Sequence, residues 1–167
     1  MFFIGGEMKR GFAKIKWEVF KQEVINDKDL YNDYQLPVLK TQSSAAYDIL
    51  LLSDINIKRG EIIKIPTGIK AYMQNDEVLL LFVRSSTGFK YNIRLCNQVG
   101  VIDADYYGNE KNDGHIWVAL QNEGDQDVKF QRNEAIVQVI FMPILRADNI
   151  VSTNKRKGGL GSTGKGE

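Results

Sequence analysis

From Ala46 onward the chain alternates short apolar runs with polar turns. Ile49-Leu50-Leu51-Leu52, Ile62-Ile63-Lys64-Ile65, Ile69-Lys70-Ala71-Tyr72-Met73 and residues 78–83 are rich in β-branched and aromatic side chains. Ser-Asp, Arg-Gly-Glu, Pro-Thr-Gly and Gln-Asn-Asp turns separate them. Ile116-Trp117-Val118-Ala119-Leu120, Val128-Lys129-Phe130 and residues 135–144 continue the pattern. Many short strands joined by turns predict an all-β sandwich or barrel. Upstream, Phe12-Ala13-Lys14-Ile15-Lys16-Trp17 alternates as a strand does, whereas residues 17–24 fit a short amphipathic helix. Residues 26–34 are acidic and polar, a loop or a short helical turn ahead of Leu36-Pro37. The end changes character: residues 155–166 are basic, glycine-rich and nearly devoid of core-forming side chains. Such a segment is either a floppy tail or one that orders on a polyanion, its Lys and Arg charges and glycine-freed N–H groups wrapping phosphates.

Composition narrows the function classes. The 167 residues make one domain's worth of chain. Lys and Arg number 22 against 21 Asp and Glu, so no global steering to nucleic acid or anionic membrane is implied. Cys96 is the only cysteine, which excludes an intrachain disulfide and fits a reducing compartment. Between Leu95 and Asn97 it reads as a packed core thiol. His115 is the only histidine and sits in an Asn-Asp-Gly turn, which argues against His-rich zinc sites and a Ser-His-Asp machine. No apolar run is long enough to span a membrane, and Met1-Phe2-Phe3-Ile4 is too short for a signal-peptide core.

Four places carry chemistry. Asn97-Gln98-Val99-Gly100-Val101-Ile102-Asp103-Ala104-Asp105-Tyr106-Tyr107-Gly108 reads as a β-hairpin turning through a glycine. An amide there can read a base edge, a carboxylate can take a proton from water, and an aromatic ring can wall off a sugar. Arg84-Ser85-Ser86-Thr87-Gly88 follows an apolar strand and suits an anion cradle, with Gly88 permitting a tight turn; a surface arginine beside a helix cap fits equally. Asp48 precedes an apolar strand, where an aspartate commonly caps a turn. Gln138 interrupts the apolar run Ile136-Val137-Gln138-Val139-Ile140, so its amide needs either backbone partners or a polar site.

Together these segments resemble, in order and spacing, the five motifs of the trimeric dUTPase family: Ala45 to Ile49, Arg84 to Gly88, Asn97 to Gly108, Ile136 to Ile140, and the Gly-Gly-Leu-Gly-Ser-Thr-Gly tail. The resemblance covers residues 36–164, and the extra stretch 110–115 suits a phage-type member. It implies a jelly-roll-like β-barrel assembling as a homotrimer. An N-terminal extension with the first strand (1–34) would precede a barrel core (35–150) and a flexible arm (151–167) that closes the site. The implied reaction is dUTP plus water giving dUMP and pyrophosphate, limiting uracil incorporation into DNA, with Mg²⁺ as cofactor. Asp103 would orient and deprotonate the water. Asn97, with Gly100 and Ile102 of the hairpin, would read uracil, and Tyr106 would pack under the deoxyribose. Arg84, Ser85, Ser86, Gly88 and Gln138 would hold phosphates or metal-bound waters. Mg²⁺ would bind mainly through the phosphates, with Asp48 and Gln138 reaching it through water. Arg156 or Lys155 would meet the terminal phosphate, and Leu160, Gly161 and Ser162 would cover the nucleotide.

The departures from the family pattern are Ala46 for glycine, Ala135 for arginine with Arg132 nearby, and Leu160 for an aromatic. The resemblance implies a cytoplasmic enzyme (host cytoplasm if phage-encoded) acting on dUTP, with no direct nucleic-acid or membrane partner. A dCTP deaminase of the same fold is the nearest alternative, and the intact 97–108 segment favours hydrolysis. A nucleotide-controlled regulatory binding protein is the other, with residues 1–30 and 110–115 as surfaces for a regulatory partner.

Overall fold

The computed structural model describes residues 8–153. Its strands are β1 (Gly11–Lys14), β2 (Tyr47–Leu50), β3 (Ile55–Ile57), β4 (Ile62–Pro66), β5 (Ile69–Tyr72), β6 (Glu77–Val83), β7 (Ile93–Leu95), β8 (Gly100–Asp103), β9 (Trp117–Asn122), β10 (Val128–Phe130) and β11 (Ala135–Pro143). The helices are short: α1 (Trp17–Glu23), α2 (Lys28–Asp33) and α3 (Ser85–Tyr91). All ladders are antiparallel, in the orders β2-β11-β6-β8, β4-β9-β7, β1-β5 and β10-β3. The expected all-β architecture is present, with few helices.

Two-stranded ribbons are marginal in water on their own. Here β1-β5 and β10-β3 persist because their inward residues share one core. Ile57, Ile69, Ala71, Val128 and Phe130 are buried together with Leu79, Leu81, Leu95, Leu120 and Val139 of the larger sheets. The N-terminal residues join that core. Ile15 and Phe20 are fully buried, and Phe20 stacks on Tyr34 with ring centroids 5.3 Å apart. Tyr34 donates its hydroxyl hydrogen to Gly68 O at 2.6 Å and Tyr31 donates to Ile15 O at 2.9 Å. Asp27 caps α2 by accepting from the Leu30 N–H at 2.9 Å.

The stretch expected to form a hairpin folds differently. β7 pairs with β9 and β8 pairs with β6, so the two arms enter separate sheets and the turn between them is a corner. Gln98, not the glycine, takes the left-handed conformation at φ 62, and its N–H bonds Leu95 O at 3.1 Å. Gly100 is needed for space: a Cβ there would lie 3.0 Å from the Leu81 Cβ across the ladder. Gly88 likewise makes no tight turn. It lies inside α3, where a Cβ would meet only ordinary contacts.

Candidate active site

The first half of the site grows from the β7–β8 corner. Because the two arms diverge into different sheets, they leave a cavity of about 580 Å³ between them, lined by Asn97, Gly100, Ile102 and Tyr106. Cys96, expected in the core, is half-buried on this wall because β7 ends one residue earlier. Asp103 closes β8 immediately after Ile102 and is exposed. Tyr106 is buried in the single 3₁₀ turn that follows. Its hydroxyl donates to His115 O at 2.9 Å and accepts from Asn112 Nδ2 at 2.7 Å, which fixes the ring plane in the cavity wall.

The second half is a charged cluster on the β2-β11-β6 sheet. Gln138 stands opposite Asp48 on one side and Phe82 on the other, so the two-residue period puts Asp48, Gln138 and Arg84 on one face. Asp48 therefore does not cap a turn. It sits inside β2, 4% exposed, with its Oδ1 3.2 Å from Arg84 Nε. Arg84 Nη1 donates to Ala135 O at 3.0 Å, and the two contacts hold the guanidinium plane. Asp48 Oδ2 is buried with no hydrogen-bond partner among the described residues, a costly condition for a carboxylate oxygen. Gln138 is half-buried, its amide 3.5 Å from Val83 O. Ser85 and Ser86 are exposed at the start of α3, next to Arg84.

The two halves do not merge within one chain. Among the described residues lining the cavity, none is Asp48, Arg84, Ser85, Ser86 or Gln138. Lys155, Arg156, Leu160, Gly161 and Ser162 lie outside the described residues. Of the family departures, Ala46 is tolerated because its φ is not positive. Arg132, near Ala135 in sequence, pairs its guanidinium with the exposed Asp33 at 2.6 Å.

A buried polar group beside the cavity departs from the sequence expectation. His115, expected in a polar turn, is fully buried. Its Nε2 accepts from the Gly68 N–H at 2.9 Å, which places the proton on Nδ1, and Nδ1 donates to Glu23 Oε2 at 2.5 Å. Trp117 Nε1 donates to the same oxygen at 3.1 Å. Burial pulls the His115 pKa below the usual imidazole value, with the Glu23 hydrogen bond and charge opposing. Glu23 also lines the cavity. The available clue was its place three residues after Phe20 on α1, on the face that turns inward. The stretches proposed as partner surfaces thus pack on each other: Asp113, also buried, accepts from the Lys16 N–H at 2.8 Å and from Lys70 Nζ at 2.6 Å.

Comparison with known proteins identifies the family. The dUTPase family model matches residues 32–164. The deoxyuridine 5'-triphosphate nucleotidohydrolase of Lactococcus lactis is 46% identical over 131 residues, 77% of this chain and 87% of the relative. The Haemophilus influenzae enzyme of the same name is 34% identical over 149 residues, covering 84% and 95% respectively. The crystal structure of the Streptococcus mutans dUTPase superposes with a TM-score of 0.67 at 42% identity, covering 83% of this chain and 99% of its own. A dUTPase of Staphylococcus bacteriophage 80alpha, 14% identical, shares the fold with a TM-score of 0.64. These relatives carry the hydrolase name, which sets the deaminase alternative aside. No helix among the described residues is long and apolar enough to cross a membrane. With its fold, its motifs and these relatives in agreement, the chain belongs to the dUTPase family.

Proposed function

We propose that this chain hydrolyses dUTP to dUMP and pyrophosphate in a site completed between subunits of a homotrimer. The cavity at the β7–β8 corner takes the nucleoside and the Arg84 cluster of a neighbouring copy takes the phosphates. The separation of these two halves within one chain is the observation that carries the reading. Asn97 and the backbone of the corner hydrogen-bond uracil. Cytosine inverts one donor and one acceptor of that edge, leaving site groups unpaired. Tyr106, buried and held through its hydroxyl, packs under the deoxyribose and leaves no space for a 2′-hydroxyl.

Asp103 orients a water in line with the α-phosphorus and takes its proton. Arg84, with Ser85 and Ser86, binds phosphate oxygens and opposes the charge moving onto the departing pyrophosphate. The pairing of Arg84 with Asp48 aims the guanidinium before substrate arrives. The orphaned, buried Oδ2 of Asp48 and the amide of Gln138 fit the outer waters of a hydrated Mg²⁺ carried in on the triphosphate. That ion would supply charge neutralisation on the phosphates. By composition alone, the lysines, arginine and glycines of residues 155–164 are assigned to binding the phosphates of the nucleotide.

Pyrophosphate release measured side by side with dUTP, dCTP, dTTP and UTP tests the proposal. Discrimination for dUTP of roughly 10⁴ is expected from unpaired polar groups in the competing complexes. Comparable turnover of dCTP would sink it.

A further inference from the structure

Residues 11–31 lie outside the stretch matched to the family model, which begins at residue 32. They nevertheless reach the wall of the nucleoside cavity. We infer that Glu23, on α1, is a positioning residue for sugar selection: it holds His115, and His115 holds Tyr106. The inference rests on the reading of Tyr106 as the surface under the deoxyribose.

The connection is short and made of directional bonds. One carboxylate oxygen of Glu23 accepts from both the His115 imidazole at 2.5 Å and the Trp117 indole at 3.1 Å. The other ring nitrogen of His115 accepts from the Gly68 N–H at 2.9 Å, so the imidazole is fixed at both ends. The carbonyl of the same histidine accepts the Tyr106 hydroxyl at 2.9 Å. Movement of His115 therefore moves the acceptor that sets the Tyr106 ring. The loop between them has little slack. Gly114 has φ +81, and a Cβ there would lie 2.5 Å from Tyr106 O, so the two backbones are in contact. The N-terminal segment grips the loop a second time, through the Lys16 N–H on Asp113 at 2.8 Å. Without Glu23, the imidazole N–H and the indole N–H lose a shared acceptor in a buried setting. Such unpaired groups relax by shifting.

The test is the ratio of kcat/KM for dUTP to that for UTP, with thermal stability measured alongside. Glu23→Ala should lower the ratio about tenfold, the worth of roughly one lost hydrogen bond. Glu23→Gln should hold the ratio within about twofold, because an amide oxygen can accept from both donors. Glu23→Asp keeps the charge but is one methylene short; it should lower the ratio too, and it serves if the alanine variant does not fold. Tyr106→Phe, which deletes the last bond of the chain, should give a similar loss, and adding Glu23→Ala to it should cost little more. If Tyr106→Ala lowers the ratio but Glu23→Ala and Glu23→Asp leave it unchanged, the role given to Glu23 is overturned while that of Tyr106 stands. If Tyr106→Ala leaves the ratio unchanged, the reading of Tyr106 falls and this inference with it.

Discussion

Asp113→Asn isolates a charge at the joint between the N-terminal segment and the 109–115 loop. Asp113 is 4% exposed and Lys70 is 7% exposed, and their charged atoms are 2.6 Å apart. The Lys16 ammonium lies 3.7 Å from the other carboxylate oxygen, which has no hydrogen bond among the described residues. Asparagine keeps the backbone demands of the site, because it tolerates the left-handed φ of 58 there. It also keeps an acceptor for the Lys16 N–H. What it removes is the counter-charge of a buried ammonium, and breaking one side of a buried pair costs about 3–5 kcal/mol. The retained acceptor argues for the lower end, about 3 kcal/mol. At roughly 2–4 °C per kcal/mol for a domain of this size, the melting temperature should fall by about 6–12 °C. Lys70→Met combined with Asp113→Asn should recover much of the loss, since neither charge is then stranded. The assay is urea and thermal unfolding of the single and double variants. A loss under about 0.5 kcal/mol for Asp113→Asn, the size of an ordinary surface change, would refute the reasoning.

Three further outcomes follow. Asp103→Asn keeps size and hydrogen bonding but removes basicity, so single-turnover hydrolysis of dUTP should slow by roughly 10²–10⁴ with nucleotide affinity nearly intact; near wild-type turnover would move the base elsewhere. Burial depresses the His115 pKa below the ordinary 6.5, so the unfolded chain binds its proton first as pH falls. The histidine's share of stability is therefore complete above pH 6.5 and is lost as pH drops towards the folded-state value. The urea midpoint should fall more between pH 7.5 and 5.5 in the wild type than in His115→Gln, and equal slopes would contradict this. Truncation after Asn154 should leave the melting temperature unchanged while severely lowering turnover, because residues 155–167 carry cations and glycines but only one large apolar side chain, Leu160. Earlier melting with activity intact would make that segment structural.

The strands were legible because alternation and β-branched residues record a pleated, half-buried surface, and β4, β6, β9, β10 and β11 fall where those runs stand. β3 leaves no such trace: three residues with Asn56 in the middle are too short a run to show alternation. The corner after β7 looks like a hairpin in the sequence, which records turn-forming residues but not which strand each arm pairs with. The motifs contain the residues that line the corner cavity and the charged cluster, yet they do not reveal the Asp48–Arg84 pairing, because an aspartate before an apolar run looks like a cap until the ladder places it in mid-strand. His115 and Glu23 were opaque for a related reason. They are 92 residues apart in the chain, and only the fold brings the polar-looking loop against the inner face of α1.

The most direct test of a shared site mixes two inactive proteins. Asp103→Asn damages the nucleoside half and Arg84→Ala the phosphate half, so each variant alone should be nearly dead. If each site takes its halves from different copies, unfolding and refolding the two together should restore sites with both halves intact. In an equal random mixture about one site in four should recover, giving dUTP turnover near a quarter of the wild type. Turnover no greater than the average of the two separate variants would contradict a site completed between subunits.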